Sequence, residues 1–228
     1  MRRLERGEAP ACLGDYAPRR HQWEDLLAST CITGIREHLH EMQGGSCVYC
    51  ECHLSVGNQH VEHFWARSRY PEQTFSWENL FLSCEYGQHC GRYKGGRDAS
   101  GLIKPDEEDP EHFLQFWENG EATARQGLDE RDRERAERTI EMLNLNAPQL
   151  RSKRYRFIRI YRDRLDSAIA EIQGYLEGEQ VASGDVETAK ALLEEEVQRI
   201  LDDIDIDDPP YESAIRQVIR RNRYVGVG

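Results

Sequence analysis

Residues 47–94 read CVYCECHLSVGNQHVEHFWARSRYPEQTFSWENLFLSCEYGQHCGRYK, and no other part of the chain says as much about its architecture. Two cysteine pairs frame this stretch, Cys47 with Cys50 and Cys84 with Cys90. Such pairs are typical of zinc knuckles, in which four thiolates close a tetrahedral site. The sequence therefore predicts a structural zinc site that ties a short hairpin to a helix, with His63 presented between them.

The order of residues in and around this stretch resembles the HNH endonuclease family. The matching positions are Cys47, Cys50, Glu62, His63, Asn79, Leu80, Cys84, Cys90 and Lys94. Several flanking segments are similar to the small HNH nuclease subunits, the PtuB family, of Septu-type and retron-associated anti-phage systems. These segments are VEHFWARSR, WENLFLSC, HCGRYKGG, LIKPDEEDPEHFLQFWENGEA and TIEMLNLNAPQLRSKR, and the similarity covers roughly residues 20–165.

This resemblance implies a mainly α chain with a small zinc-stabilised ββα-metal (HNH) nuclease core. It implies a metal-dependent endonuclease that hydrolyses phosphodiester bonds, in DNA by preference or in RNA such as tRNA. It further implies that the chain is the effector subunit of a cytoplasmic bacterial defence complex. The partners would be an ATPase subunit (PtuA-like) and the nucleic acid substrate, with no membrane involved.

Phosphodiester hydrolysis gives the matching residues definite roles. His63 is the candidate general base. Glu62 is the candidate ligand of a catalytic Mg²⁺ or Mn²⁺ that stabilises the leaving oxygen. Asn79 is expected to hold the loop that carries His63 and to orient its ring through a carbonyl contact. Arg92 and Lys94 are expected to contact phosphate.

Two positions depart from the family pattern. Glu62 stands where the family has Asp, and its extra methylene shifts the carboxylate. Gly91 stands where the family has an Asn or His that binds metal. His89 lies nearby and is a candidate to take over this catalytic role from the loop before the helix, or to bind zinc in place of one cysteine. His60 shares the strand face of Glu62 and is the next candidate after His63.

Apolar periodicity predicts most of the secondary structure. Helices are predicted over 20–43, 90–96, 130–144, 149–176, 185–204 and 211–223. Strands are predicted over 59–64 and 79–83, and short strands or turns over 102–105, 113–116 and 121–124, with Asn119-Gly120 as a hairpin signal. The predicted domains are a nuclease core with its preceding helix over 20–104, and a hairpin plus helical assembly region over 105–228.

Composition limits the class of protein. No apolar run approaches the length of a membrane span, and residues 1–6 lack the apolar core of a secretory signal. Seven cysteines in a cytosolic protein favour metal binding plus spare thiols over a disulfide framework. The spare thiols would be Cys12, Cys31 and Cys52, with Cys52 a further candidate zinc ligand.

Net charge is −12, which is unusual for a protein that binds a polyanion. Residues 105–147 carry five basic against thirteen acidic side chains, and residues 171–212 carry two against fourteen. Residues 148–170 are the exception, with seven basic and two acidic side chains. We therefore expect the isolated chain to bind nucleic acid weakly and to need a partner.

The helical second half contains no chemical motif. Its apolar stripes over 189–204 and 215–219 are expected either to dock on the ATPase or on a second copy, or to pack on residues 150–176. Two other functions fit parts of the sequence. A non-catalytic zinc-knuckle adaptor would use the same cysteines, and a thiol oxidoreductase is disfavoured because no βαβ pattern surrounds Cys47 and Cys50.

Overall fold

The computed structural model of the chain describes residues 1–177 and 183–222. Within these ranges the chain is mainly helical with two small sheets, which confirms the mainly α prediction. It forms two compact units, one of residues 1–115 with 122–150 and one of residues 116–121 with 151 onward. The predicted division between residues 104 and 105 stays a prediction. No helix in the described ranges is long and apolar enough to cross a bilayer.

The predicted helix over 20–43 is two helices in the first unit. They are α1 (Trp23–Leu27) and α2 (Cys31–Met42). Ser29 separates them, because its hydroxyl donates to Leu26 O at 2.8 Å and accepts from the Cys31 N–H at 3.2 Å. Short hydroxyl side chains compete in this way with the helical hydrogen bonds of the backbone.

The prediction that Cys12 and Cys31 are spare thiols is wrong, because their sulfur atoms are bonded to each other. The bond joins a 3-10 turn over Ala11–Asp15 to the first residue of α2. Cys52, by contrast, is a buried free thiol as predicted. Residue counting could not reveal the bond, since it depends on how two separate segments pack.

A strand–strand–helix arrangement follows these helices. Its elements are β1 (Gln59–His63), β2 (Leu80–Cys84) and α3 (Cys90–Lys94). The strands pair antiparallel, with Glu62 opposite Phe81 and His60 opposite Ser83. Gly95 ends α3 with a φ of 56°, a left-handed conformation that glycine adopts without strain. All three elements lie within two residues of their predicted bounds.

The core of the first unit lies between α2 and β2. Gln43, which follows α2, is buried and binds both backbone groups of Leu82, accepting from its N–H at 2.7 Å and donating to its O at 2.9 Å. This pairing ties the helix to the strand. Around it lie the fully buried side chains of Leu26, Ile35, Leu39, Leu80, Phe81, Leu82 and Ile103.

The second hairpin consists of β3 (Leu114–Phe116) and β4 (Ala122–Ala124), as predicted. Its turn includes Gly120 with a φ of 77°, where a Cβ atom would lie 2.3 Å from Arg151 O. Glycine is therefore required there for both space and conformation.

Residues 102–105 form no strand. Helix α4 (Glu130–Met142) follows, and the Asp129 carboxylate caps it by accepting from the Asp132 N–H at 2.8 Å.

The second unit contains three helices, α5 (Pro148–Glu177), α6 (Ser183–Asp207) and α7 (Glu212–Asn222). The break between α6 and α7 was predicted from Asp207–Pro210. The apolar side chains of both expected docking stripes are buried within the chain itself: Ala189, Leu193, Val197, Ile200, Ile204, Ile215, Val218 and Ile219. The structure thus favours the alternative in which these stripes build a core, rather than an open apolar docking face.

Candidate functional site

Four cysteines meet where the knuckle, β2 and α3 converge. The sulfur atoms of Cys47, Cys50, Cys84 and Cys90 all lie within 4.8 Å of one another, and all four side chains are buried. The Cys50 and Cys84 sulfurs are 3.9 Å apart. Four ligands at about 2.3 Å from a tetrahedral zinc would be separated by about 3.8 Å. The predicted cluster therefore forms, and it could hold a metal ion.

His89 lies at this cysteine cluster. Its Nδ1 atom is 3.0 Å from the Cys90 sulfur and 3.8 Å from the Cys84 sulfur, and its ring is buried. It does not line the cleft that contains Glu62, where the catalytic prediction for His89 would require it. The four cysteine sulfurs already supply a complete tetrahedral set without its ring.

Glu62 and His63 close β1 and line an open cleft of about 430 Å³. The Oε1 atom of Glu62 accepts from Tyr49 OH at 3.2 Å and from Lys94 Nζ at 3.0 Å. Its Oε2 atom lies 3.3 Å from Nε2 of His60. Burial would raise the pKa of Glu62, but the contacts with His60 and Lys94 outweigh it and lower that pKa below its ordinary value. The carboxylate is thus ionised at neutral pH.

The ring of His63 is held in one orientation. Its Nε2 atom lies 3.0 Å from Thr74 O, and the edge of the ring meets Trp23 with centroids 4.4 Å apart. A carbonyl oxygen can only accept, so Nε2 carries the proton and Nδ1 is left as an acceptor. Burial lowers the pKa of His63 to about 4, so the imidazole is neutral at physiological pH.

Asn79 holds the segments on either side of that ring. Its Oδ1 atom accepts from the Trp65 N–H at 2.7 Å, and its Nδ2 group donates to Trp65 O at 3.0 Å and to Gln73 O at 2.9 Å. The backbone carbonyl of Asn79 also accepts from the Phe64 N–H at 2.9 Å. The carbonyl that orients His63 belongs to Thr74, the neighbour of Gln73, so Asn79 acts on the ring through this loop.

Both residues expected to contact phosphate bind other groups of the chain in this structure. Lys94 is buried, and its ammonium group donates to His63 O at 3.0 Å and Phe64 O at 3.1 Å in addition to Glu62. Arg92 is half-exposed, but two of its nitrogens bind the Glu85 carboxylate at 2.6 and 2.7 Å. Lys94 thus fixes the loop after β1, and Arg92 would have to leave Glu85 to reach a phosphate.

Two further residues contact Glu62. Tyr49 donates to Glu62, and burial raises its pKa well above the ordinary range, so it remains a donor. His60 lies against Glu62 and Gly91. Strand alternation indicated the position of His60. No sequence signal marks Tyr49, because an apolar residue would be equally ordinary at its position between Cys47 and Cys50.

Comparison with known proteins adds to this picture. No model of a known protein family matches the chain. A candidate HNH endonuclease of retron Vc95 from Vibrio cholerae serotype O1 biovar El Tor is 31% identical over 127 residues, which are 53% of this chain and 61% of that protein. The Septu protein PtuB of Bacillus thuringiensis is 31% identical over 124 residues, which are 51% of this chain and 47% of that protein.

The chain therefore matches less than two thirds of the length of either relative. Both similarities support the resemblance to HNH endonucleases and to PtuB-like proteins that the residue order of 47–94 indicated.

Proposed function

We propose that this chain is a metal-dependent endonuclease that hydrolyses phosphodiester bonds as the effector of an anti-phage complex. One observation carries the proposal. An ionised carboxylate, Glu62, and a fixed imidazole, His63, stand side by side in an open cleft next to a buried four-cysteine cluster. A cation ligand and a proton acceptor in one cleft are the two groups that this hydrolysis needs.

The cysteine cluster fits zinc. Four soft sulfur donors with a separation of 3.9 Å between Cys50 and Cys84 match a closed tetrahedral zinc site with no position for a substrate. Its role is structural, because it joins the knuckle, β2 and α3, which together support the cleft. The predicted ligands are Cys47, Cys50, Cys84 and Cys90.

The cleft fits a hard divalent cation such as Mg²⁺ or Mn²⁺ through the Oε2 atom of Glu62. A cation bound there would stabilise the negative charge on the leaving oxygen. His63 receives the proton of the attacking water at Nδ1, while its Nε2 proton stays on Thr74 O. Lys94 keeps Glu62 and the His63 carbonyl in place, so both groups face the cleft together.

The acidic surface is consistent with a partner that captures the substrate. Net charge of −12 opposes unaided binding to a polyanion. An ATPase subunit of the PtuA kind would supply the missing basic surface and the trigger, in the cytoplasm of a bacterium. DNA is the favoured substrate, with RNA such as tRNA as the second choice.

A plasmid cleavage assay tests the proposal. The purified chain and its partner should nick plasmid in Mn²⁺ and stop in EDTA, and His63→Ala should lower the rate by about 10²- to 10⁴-fold. His112→Ala is a matched control, because this exposed histidine lies outside the cleft. Equal activity of the His63→Ala and wild-type proteins would refute the assignment of the base. No cleavage of DNA or RNA under any condition would favour a zinc-knuckle adaptor that binds without catalysis.

A further inference from the structure

The space in front of Gly91 is filled by two side chains from β1. A Cβ atom at residue 91 would lie 2.5 Å from Oε2 of Glu62 and 2.9 Å from Nε2 of His60. Any larger residue would push these atoms apart. Glycine at this position therefore permits a close approach of an imidazole nitrogen and a carboxylate oxygen at the floor of the cleft.

The distance between these two donors suits a shared cation. Nε2 of His60 and Oε2 of Glu62 are 3.3 Å apart. Adjacent ligands of an octahedral ion at about 2.1 Å would be separated by about 3 Å. Oε1 of Glu62 is already taken by Tyr49 and Lys94, so Oε2 is the oxygen that points to His60.

The other nitrogen of His60 faces a second carboxylate. Its Nδ1 atom is buried without a hydrogen bond to any described residue and lies 3.4 Å from Oε1 of Glu85, which is itself held by Arg92. Histidines that bind metals commonly present one nitrogen to the ion and the other to a carboxylate, which fixes the ring. When a cation binds, the Nε2 proton that contacts Glu62 would leave, the Nδ1 proton would turn to the nearby Glu85 carboxylate, and the Nε2 lone pair would face the ion.

The carboxylates around this site are partly neutralised, so a divalent cation bound to Glu62 would need a second protein ligand. Lys94 neutralises part of the Glu62 charge, and Arg92 does the same for Glu85. A single partly neutralised carboxylate binds a divalent ion weakly, since Mg²⁺ and Mn²⁺ are held mainly by charged oxygens. A neutral imidazole adds a ligand without adding charge.

We propose that His60 and Glu62 together form the catalytic cation site, with His60 Nε2 as the second protein ligand. This inference rests on the proposed nuclease function. It assigns to His60 the metal contact that an Asn or His makes in the HNH family at the position of Gly91. An imidazole favours first-row transition ions over Mg²⁺, so the site prefers Mn²⁺. The competing interpretation is an ordinary ion pair between His60 and Glu62 that binds no metal.

Mn²⁺ binding to the full-length, zinc-loaded chain tests the proposal without any cleavage assay. Electron paramagnetic resonance follows the loss of free Mn²⁺, and its spin-echo form detects a coordinated nitrogen. We expect the wild type to bind Mn²⁺ with nitrogen modulation. His60→Ala should weaken binding by about tenfold or more and abolish the modulation, since even indirect partners of a metal contribute about that much.

Four variants control this measurement. His63→Ala should retain both the affinity and the modulation, and so should His112→Ala. Gly91→Ala should weaken Mn²⁺ binding because its methyl group would enter the space of Glu62 and His60. Gly96→Ala is its matched control, because it lines the same cleft and its nearest neighbour is Oγ of Ser68 at 3.3 Å. Zinc content reports whether each variant is folded, and His60→Gln replaces His60→Ala if the latter loses zinc.

Several results would overturn the proposal. Unchanged affinity and modulation in His60→Ala would show that His60 is not a ligand. Modulation that disappears in His63→Ala instead would assign the nitrogen to His63. No binding of Mn²⁺ by the wild type would refute the site itself. If cleavage in Mn²⁺ still depends on His63 in any of these cases, the proposed function stands and only the role of His60 fails.

Discussion

Asn79→Ala should destabilise the first unit and misplace the His63 ring. The substitution removes three hydrogen bonds, which join the Asn79 side chain to both backbone groups of Trp65 and to Gln73 O. A net contribution of about 1 kcal/mol for each bond gives about 3 kcal/mol. The loss rises toward about 5 kcal/mol if the freed backbone groups stay buried without water.

Urea unfolding of the zinc-loaded protein, followed by tryptophan fluorescence, measures this loss. Trp65, whose backbone binds the Asn79 side chain, and Trp77, two residues before Asn79, contribute to this signal. Asn58→Ala is the matched control, because Asn58 is half-buried and its described hydrogen bonds are made by its backbone, from its N–H to Ser55 O and from the Glu85 N–H to its O. Added zinc should keep the variant folded, and its cleavage activity should still fall. The reason is that Thr74, whose carbonyl orients His63, directly follows the loosened Gln73. An unfolding midpoint equal to that of Asn58→Ala would refute this reasoning.

Three other substitutions or conditions give direct checks. Cys47→Ser should release the metal and unfold the ββα arrangement, because a structural zinc contributes folding energy; metal mass spectrometry that finds an unchanged zinc content would contradict this. Lys94→Met should destabilise by about 3–5 kcal/mol, because it leaves the buried Glu62 carboxylate without its cation. A normal urea midpoint combined with weaker DNA binding would instead support the phosphate role of Lys94. The isolated chain should bind DNA weakly, so a tight and salt-independent affinity in fluorescence anisotropy would count against the need for a partner.

The cleft was only partly predictable, and the reason differs for each residue. Glu62 and His63 were indicated by the resemblance to HNH endonucleases, and both line the cleft. The contact that orients His63 was expected from Asn79, yet it comes from Thr74, which is five residues away from Asn79 in sequence and is brought there by the loop. Lys94 was expected at the surface, but the approach of the His63 and Phe64 carbonyls buries it.

Residue order alone was enough to predict the cysteine cluster, the antiparallel pair of strands and most helices. Ligand chemistry, alternation and helical periodicity act over a few residues, so they are visible in the chain itself. The disulfide between Cys12 and Cys31 and the approach of His60 to Gly91 depend on distances between separate segments. Packing of the first unit decided them, because a short pattern does not encode which side chain will fill the space that a glycine leaves.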